Sequence, residues 1–188
     1  IFAASSTAMT ALAANSVAMT AFGANSTAMG IIALSSTSMN IIAASSTAMT
    51  ALAASSIAMA PIAASSTAMT ALIGTATARN TFIASSIAMT AIVASSTAMN
   101  IIVADATTMT ALAASNAGMT VLAGSSPGMT IVAASTTAMN IIAANVAVAL
   151  NVLATSTTAL SIMTASATAR NALYAVSTKI NHAAAANW

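Results

Sequence analysis

The chain contains no cysteine, which rules out disulfide staples as a source of stability and leaves the redox compartment open. Charge is almost missing as well: among 188 residues only Asp105, Arg79, Arg170 and Lys179 carry it, and there is no glutamate. An ordinary globular domain is about one quarter charged. A surface this poor in charge must be covered by Ser, Thr, Asn and Ala, or buried against copies of itself, which is the composition of a fibre or array. Aromatic residues make up 3%, with one Trp and one Tyr to stack on bases, and the net charge of +2 is spread along the chain. Nucleic-acid binding is therefore not supported. Long apolar runs are also absent, although 59% of the residues are hydrophobic. A spanning helix needs about 20 mainly apolar residues, and a Ser/Ser/Thr cluster interrupts nearly every ten. No Lys/Arg flanks are present to set a topology, so a membrane role is disfavoured. No basic segment leads from Ile1 into an apolar run, so no signal peptide is visible, and the expectation is a fragment or processed product.

What the chain does have is a period of ten. Thirteen of its fourteen methionines fall at Met9, Met19, Met29, Met39, Met49, Met59, Met69, Met89, Met99, Met109, Met119, Met129 and Met139, and Arg79 fills the one gap. Three residues after each stands a large apolar side chain, from Leu12 and Phe22 to Val132 and Ile142. Near Val146 to Val148 the register slips by one, after which "ALNVL", "ALSIM" and "ARNAL" keep the same beat to Leu173. Two regions follow: a decapeptide-repeat shaft over residues 1–174 and an atypical C-terminal cap or junction over 175–188, because the end repeats of an array are usually atypical.

A ten-residue period admits three architectures. As one continuous α-helix the chain would be a rod of roughly 280 Å, but ten residues at about 100° stop some 80° short of three turns. The apolar stripe would then circle the rod, and a coiled coil could follow it only by supercoiling tightly to the left. The column Ser5, Asn15, Asn25, Ser35, Ser45, Ser55, Ser65, Thr75, Ser85, Ser95, Asp105, Ser115, Ser125, Ser135 and Asn145 points elsewhere. Every member belongs to the set that caps helix N-termini through a side-chain oxygen. Gly74 and Gly124 stand just before that column, where glycine is favoured past a helix end, and Pro127 would fall in a first turn, where proline is tolerated. Each decade then forms one short helix and a tight turn, and because such a helix is unstable alone it must stack on its neighbours. Pro61 is the misfit, falling inside a helix at a cost of about 3 kcal/mol. The capping column also suits the corners of a β-solenoid with two decades per coil, although alanine is depleted in strands. The reading favoured here is all-α: an elongated solenoid of short helices, one per repeat.

Residues able to carry chemistry are few. Asp105, His182 and the many serines nominally supply a catalytic triad, but a triad needs its members within hydrogen-bond reach, and Asp105 and His182 stand some eight repeats apart. Asp105 is explained by the capping column. A zinc site needs three or four ligands, and His182 has no Cys or Glu to join it. The expectation is no enzyme, no cofactor, and no catalytic or metal-binding residue. Arg79 and Arg170 both occur in "ATARN", where the aliphatic stem covers apolar surface and the guanidinium reaches water. The methionine column fills a core. Asn25-Ser26-Thr27 matches a short glycosylation acceptor.

The units "NSTAMG", "ASSTAMN" and "SATARNALYA" resemble the tandem decapeptides of tail-fibre and related tail proteins of bacteriophages that infect enteric bacteria. The likeness covers about residues 1 to 174. It implies a shaft segment on a virion tail, extracellular in location, often trimeric, with copies of itself and other virion tail proteins as partners. No functional residue carries over. The leading expectation is a structural fibre or spacer. Its rival is an ice-binding protein, since Thr10, Thr20, Thr50, Thr70 and Thr90 recur on an uncharged Ala/Thr surface. A membrane-associated, self-assembling coat is the third.

Overall fold

The computed structural model describes residues 2–185, with the side chains of 3–177. A 3-10 turn (Phe2–Ala4) opens the chain. Seven helices follow: α1 (Ser6–Ala13), α2 (Ser16–Gly23), α3 (Ser26–Ala33), α4 (Ser36–Ala44), α5 (Ser46–Ala53), α6 (Ser56–Ala64) and α7 (Ser66–Ile73). Next come α8 (Ala76–Ala84), α9 (Ser86–Ala94), α10 (Ser96–Ala104), α11 (Ala106–Ala113), α12 (Asn116–Gly124), α13 (Ser126–Ala134) and α14 (Thr136–Ala144). A π-helical turn (Val146–Leu150) leads into α15 (Asn151–Ala154), then α16 (Thr157–Ala165) and α17 (Ala167–Ala185). Every regular element among the described residues is helical, one to each repeat. The continuous rod and the β-solenoid are both excluded.

One residue makes each corner. Ser45, in extended conformation at φ −96° and ψ 113°, closes α4 and opens α5. Its N–H donates to the Ile42 carbonyl at 3.0 Å, and its own carbonyl accepts from Met49 N–H at 2.9 Å. Its hydroxyl accepts from Ala48 N–H at 3.2 Å, satisfying one of the free donors of the new helix. The same cap recurs along the column, except at Thr75, whose side chain makes no cap bond. No residue among those described has positive φ, and Gly74 sits at φ −67°. Gly74 stands just past the end of α7, where the sequence placed it, and Gly124 is the last residue of α12; a corner made by one extended residue needs no left-handed cap.

Successive helices meet at 103° (α3 and α4, α5 and α6), 100° (α9 and α10) and 102° (α12 and α13). That is slightly under the third of a circle a flat triangle would need, so the chain climbs as it turns. After three helices it lies over itself: α4 packs on α1, α5 on α2, α6 on α3, and so on up to α17 on α14. The result is a three-sided column. One face stacks α1, α4, α7, α10, α13 and α16, the second α2, α5, α8, α11, α14 and α17, and the third α3, α6, α9, α12 and α15. About six coils at a helix spacing of about 9 Å give a length of roughly 55 Å.

Serine hydroxyls bind coil to coil. Ser45 Oγ donates to Ala13 O at 2.7 Å, Ser55 to Gly23 at 2.8 Å, Ser65 to Ala33 at 2.6 Å, Ser85 to Ala53 at 2.6 Å and Ser95 to Ala63 at 2.7 Å, each 32 residues back. One hydroxyl thus caps its own helix and ties the coil to the one below. Each such bond contributes about 0.5–1.5 kcal/mol net.

The core follows from the same geometry. Methionines from Met9 to Met139 are fully buried on the axis, with Ile42, Leu52, Ile62, Leu72 and their equivalents beside them. An unbranched, adaptable thioether suits an axis bounded by three helices. Alanines such as Ala48 and Ala58 are buried where coils touch. Where the lower coil carries Ile83 or Val93 instead of alanine, Gly118 or Gly128 lies above it. A Cβ on Gly118 would stand 3.1 Å from Ile83 O and 3.2 Å from Ile83 Cγ2. The coils are still propped apart there: Ser115 reaches Ile83 O at 3.4 Å, Ser125 Val93 O at 3.2 Å and Ser135 Val103 O at 3.5 Å.

The extra residue near Val146 is absorbed by the π-turn, in which Leu150 N–H reaches back five residues to Asn145 O at 3.2 Å. Ser156 and Ser166 then bond to Ala123 and Ala133, 33 residues back, so the stack continues unbroken. At the next corner position stands Val176, which has no capping oxygen, and α17 runs on to Ala185 without turning. Pro127 lies in the first turn of α13 as expected. Pro61 lies inside α6, which continues through it with one intrahelical donor missing.

Candidate functional site

The densest departure from the repeat gathers around one carbonyl, that of Ile73 at the end of α7. By the 32-residue register this carbonyl lies beneath residue 105, where a serine would donate to it. Residue 105 is aspartate, whose carboxylate has no proton to give. Its Oδ1 instead accepts from Thr108 N–H at 2.6 Å and so caps α11.

Arg79 supplies the missing donor. It occupies the methionine column on α8, yet its Nη1 turns back to donate to Ile73 O at 3.0 Å. A guanidinium at the carbonyl end of α7 also meets the negative pole of that helix. The expectation of a guanidinium reaching water is corrected for Arg79, which is half-buried with its Nε buried and unpartnered, while Arg170 is exposed. Arg170 repeats the geometry, its Nη1 donating to Thr164 O at 2.5 Å. In both copies of "ATARN" arginine reaches the carbonyl six residues earlier.

Thr108 completes the cluster. It is fully buried at a position otherwise held mostly by Ala or Gly, and its Oγ1 has no hydrogen-bond partner. Ser38, at the equivalent position, donates to Ala3 O at 2.6 Å, 35 residues back. The same step from Thr108 leads to Ile73. Arg79 therefore serves the carbonyl that the coil register assigns to residues 105 and 108, and two buried polar atoms, Arg79 Nε and Thr108 Oγ1, are unsatisfied. Arg79 and Asp105 stood out in the sequence as exceptions to the repeat. Thr108 did not, because the 35-residue step that relates it to Ile73 exists only once coils are stacked.

The other candidates are dispersed. Asp105 is a helix cap, and the side chain of His182 lies outside the described residues, as does Trp188. No group of three or more His, Cys, Asp or Glu that could hold a metal occurs among the described residues. Asn25 is exposed, and its Oδ1 caps α3 by accepting from Ala28 N–H at 2.9 Å. The threonines at the end of each decade are shared among all three faces. Thr90, Thr110, Thr120 and Thr130 donate their hydroxyls to the carbonyl four residues back, at 2.7–2.8 Å. Open grooves run between stacked helices. One, of about 790 Å³ between α2 and α5, is lined by Ser16, Thr20, Ser46, Thr47 and Thr50 among others. Among the described residues no single helix is long and apolar enough to cross a membrane, although five bent helix pairs pass by length and composition. No known family model matches the chain, and no curated protein matches it.

Proposed function

We propose that this chain is a structural spacer, a segment of a fibre or shaft that carries out no reaction. The observation that carries the reading is the serine ladder. Because coil after coil is tied to the one below by the same bond 32 residues back, each added set of three repeats lengthens the column by the same step without changing its section. Length is then set by repeat number, which is what a spacer requires. The likeness of its decapeptides to those of phage tail fibres extends the proposal to a shaft segment of a virion tail, outside the cell, working beside other tail proteins. Small-angle scattering on variants lengthened or shortened by thirty residues tests the spacer reading. Each change should alter the maximum dimension by about 9 Å at constant cross-section. A change in section, or loss of the fold, overturns it.

A second reading rests on a different feature. Thr7, Thr37, Thr67 and Thr97 form a column on the first face, and Thr47, Thr77, Thr107 and Thr137 another on the second, one per coil. Evenly spaced threonines on an uncharged surface are what an ice-binding face would use. Thermal hysteresis in concentrated solution would favour this reading over the spacer, and its absence would remove it.

A further inference from the structure

The three faces of the column are chemically unequal, a difference the ten-residue period hides. At the outward seventh position of each decade the first two faces carry the threonine columns just described, with Pro127 on α13 of the first and Val17 at the foot of the second. The third face carries Thr27, Ile57, Ile87 and Ala117 instead, and at the tenth position it begins with Gly30 and Ala60 where the other two carry Thr or Asn. Ile31 and Leu34 of α3 add to it. These side chains lie open: Ile31 is 60% exposed, Leu34 76%, Ile57 49% and Ile87 44%. Since α3, α6 and α9 stack directly on one another, the four form one continuous apolar strip. No charged residue lies on these helices.

We infer that this third face is the surface on which a second copy of the chain docks, giving a twofold dimer. Three observations select that occupant. First, the face is ridged at the helix spacing of the solenoid, and only a surface with the same spacing can lay its ridges into those grooves along the whole length; a second copy has that spacing by construction. Second, the face offers no charge to orient a charged partner, while Gly30, Ala60, Ala91 and Ala94 leave room for close backbone approach. Third, four stacked helices (α3, α6, α9, α12) and the π-turn with α15, each level about 13 Å long at about 9 Å spacing, cover roughly 600 Å² per copy. That is about 1,200 Å² for a pair, the lower bound for a specific interface. Symmetry decides the number of copies. A ring of three joins two different patches on each subunit, whereas a twofold pair joins a patch to itself, and among the described residues only the third face gathers exposed large apolar side chains on adjacent stacked helices; Val17, Leu160 and Tyr174 stand singly on the other two. The inference depends on the fold alone and stands or falls separately from the shaft reading.

Sedimentation equilibrium on the full chain tests it. The mass should rise from 18.1 kDa toward twice that value with concentration. The variant Ile31→Ala, Leu34→Ala, Ile57→Thr, Ile87→Thr should raise the dimer dissociation constant by at least about tenfold. All four substitutions install residues that other coils already carry at those positions, such as Ala11, Ala14, Thr7 and Thr47, so the variant keeps the wild-type circular dichroism. Val17→Thr, which removes a 78% exposed side chain from the second face, should leave the dimer unchanged. A monomer up to about 1 mM, far weaker than specific association, would overturn the inference. So would a trimer, a dimer indifferent to the fourfold variant, or binding of the monomer to phosphatidylcholine vesicles that the variant abolishes.

Discussion

If Arg79 stands in for the serine that Asp105 replaced, the two residues must be energetically coupled, and the coupling has a calculable sign. Arg79 Nη1 is the donor to Ile73 O. Arg79→Met alone restores the methionine column but leaves that carbonyl beneath a carboxylate, with no donor but the Thr108 hydroxyl, which makes no bond to it in the structure. A buried acceptor left unpaired costs about 1–3 kcal/mol. Asp105→Ser alone adds a second donor to a carbonyl already served, for little gain. In the double variant the serine hydroxyl donates as Ser95 does to Ala63 at 2.7 Å, the orphaned Nε is gone, and a methionine fills the axis. Arg79→Met should therefore be more favourable by about 1–2 kcal/mol when residue 105 is serine than when it is aspartate. For a chain of this size each kcal/mol shifts the melting temperature by about 2–4 °C, and the double variant should melt above wild type. Urea denaturation of all four proteins measures the coupling. Amide exchange at Thr108, whose N–H is held by Asp105, reports the site locally, which guards against fraying at the column ends. Additivity within about 0.5 kcal/mol would refute the compensation.

Further outcomes follow from the same geometry. Thr108→Ala should stabilise by about 1 kcal/mol by removing a buried unpaired hydroxyl, whereas Ser38→Ala should destabilise by a similar amount through loss of its 2.6 Å bond to Ala3 O; opposite signs in chemical denaturation are the check. Gly30→Ala should stabilise by about 0.5–1 kcal/mol, since nothing lies within 4 Å of its added Cβ. Gly118→Ala should gain nothing or lose up to about 2 kcal/mol, because its Cβ would meet Leu112 Cδ1 at 2.6 Å as well as Ile83, and the two melting temperatures should move apart. Pro61→Ala should stabilise by as much as about 3 kcal/mol by restoring a donor to the Ile57 carbonyl, read as a rise in urea midpoint.

Local rules make the individual elements of this protein legible from residue order alone. Capping oxygens every ten residues define where each helix begins, and the loss of that signal at Val176 marks where turning stops. The buried methionine and isoleucine or leucine columns are set by apolar spacing alone. The number of helices per coil is another matter, because the ten-residue period is the same whether two, three or four helices close a turn. Only the corner angle near 100°, a property of one extended residue between two helices, makes it three. Everything that depends on a step of 32 or 35 residues followed from that closure: the serine ladder, the glycines above Ile83 and Val93, the meeting of Arg79 with the carbonyl beneath Asp105, and the gathering of Ile31, Leu34, Ile57 and Ile87 on one face. Residue order thus dictates what each repeat becomes. Which repeats touch is settled in three dimensions, because contact between coils is governed by an angle that no single repeat encodes.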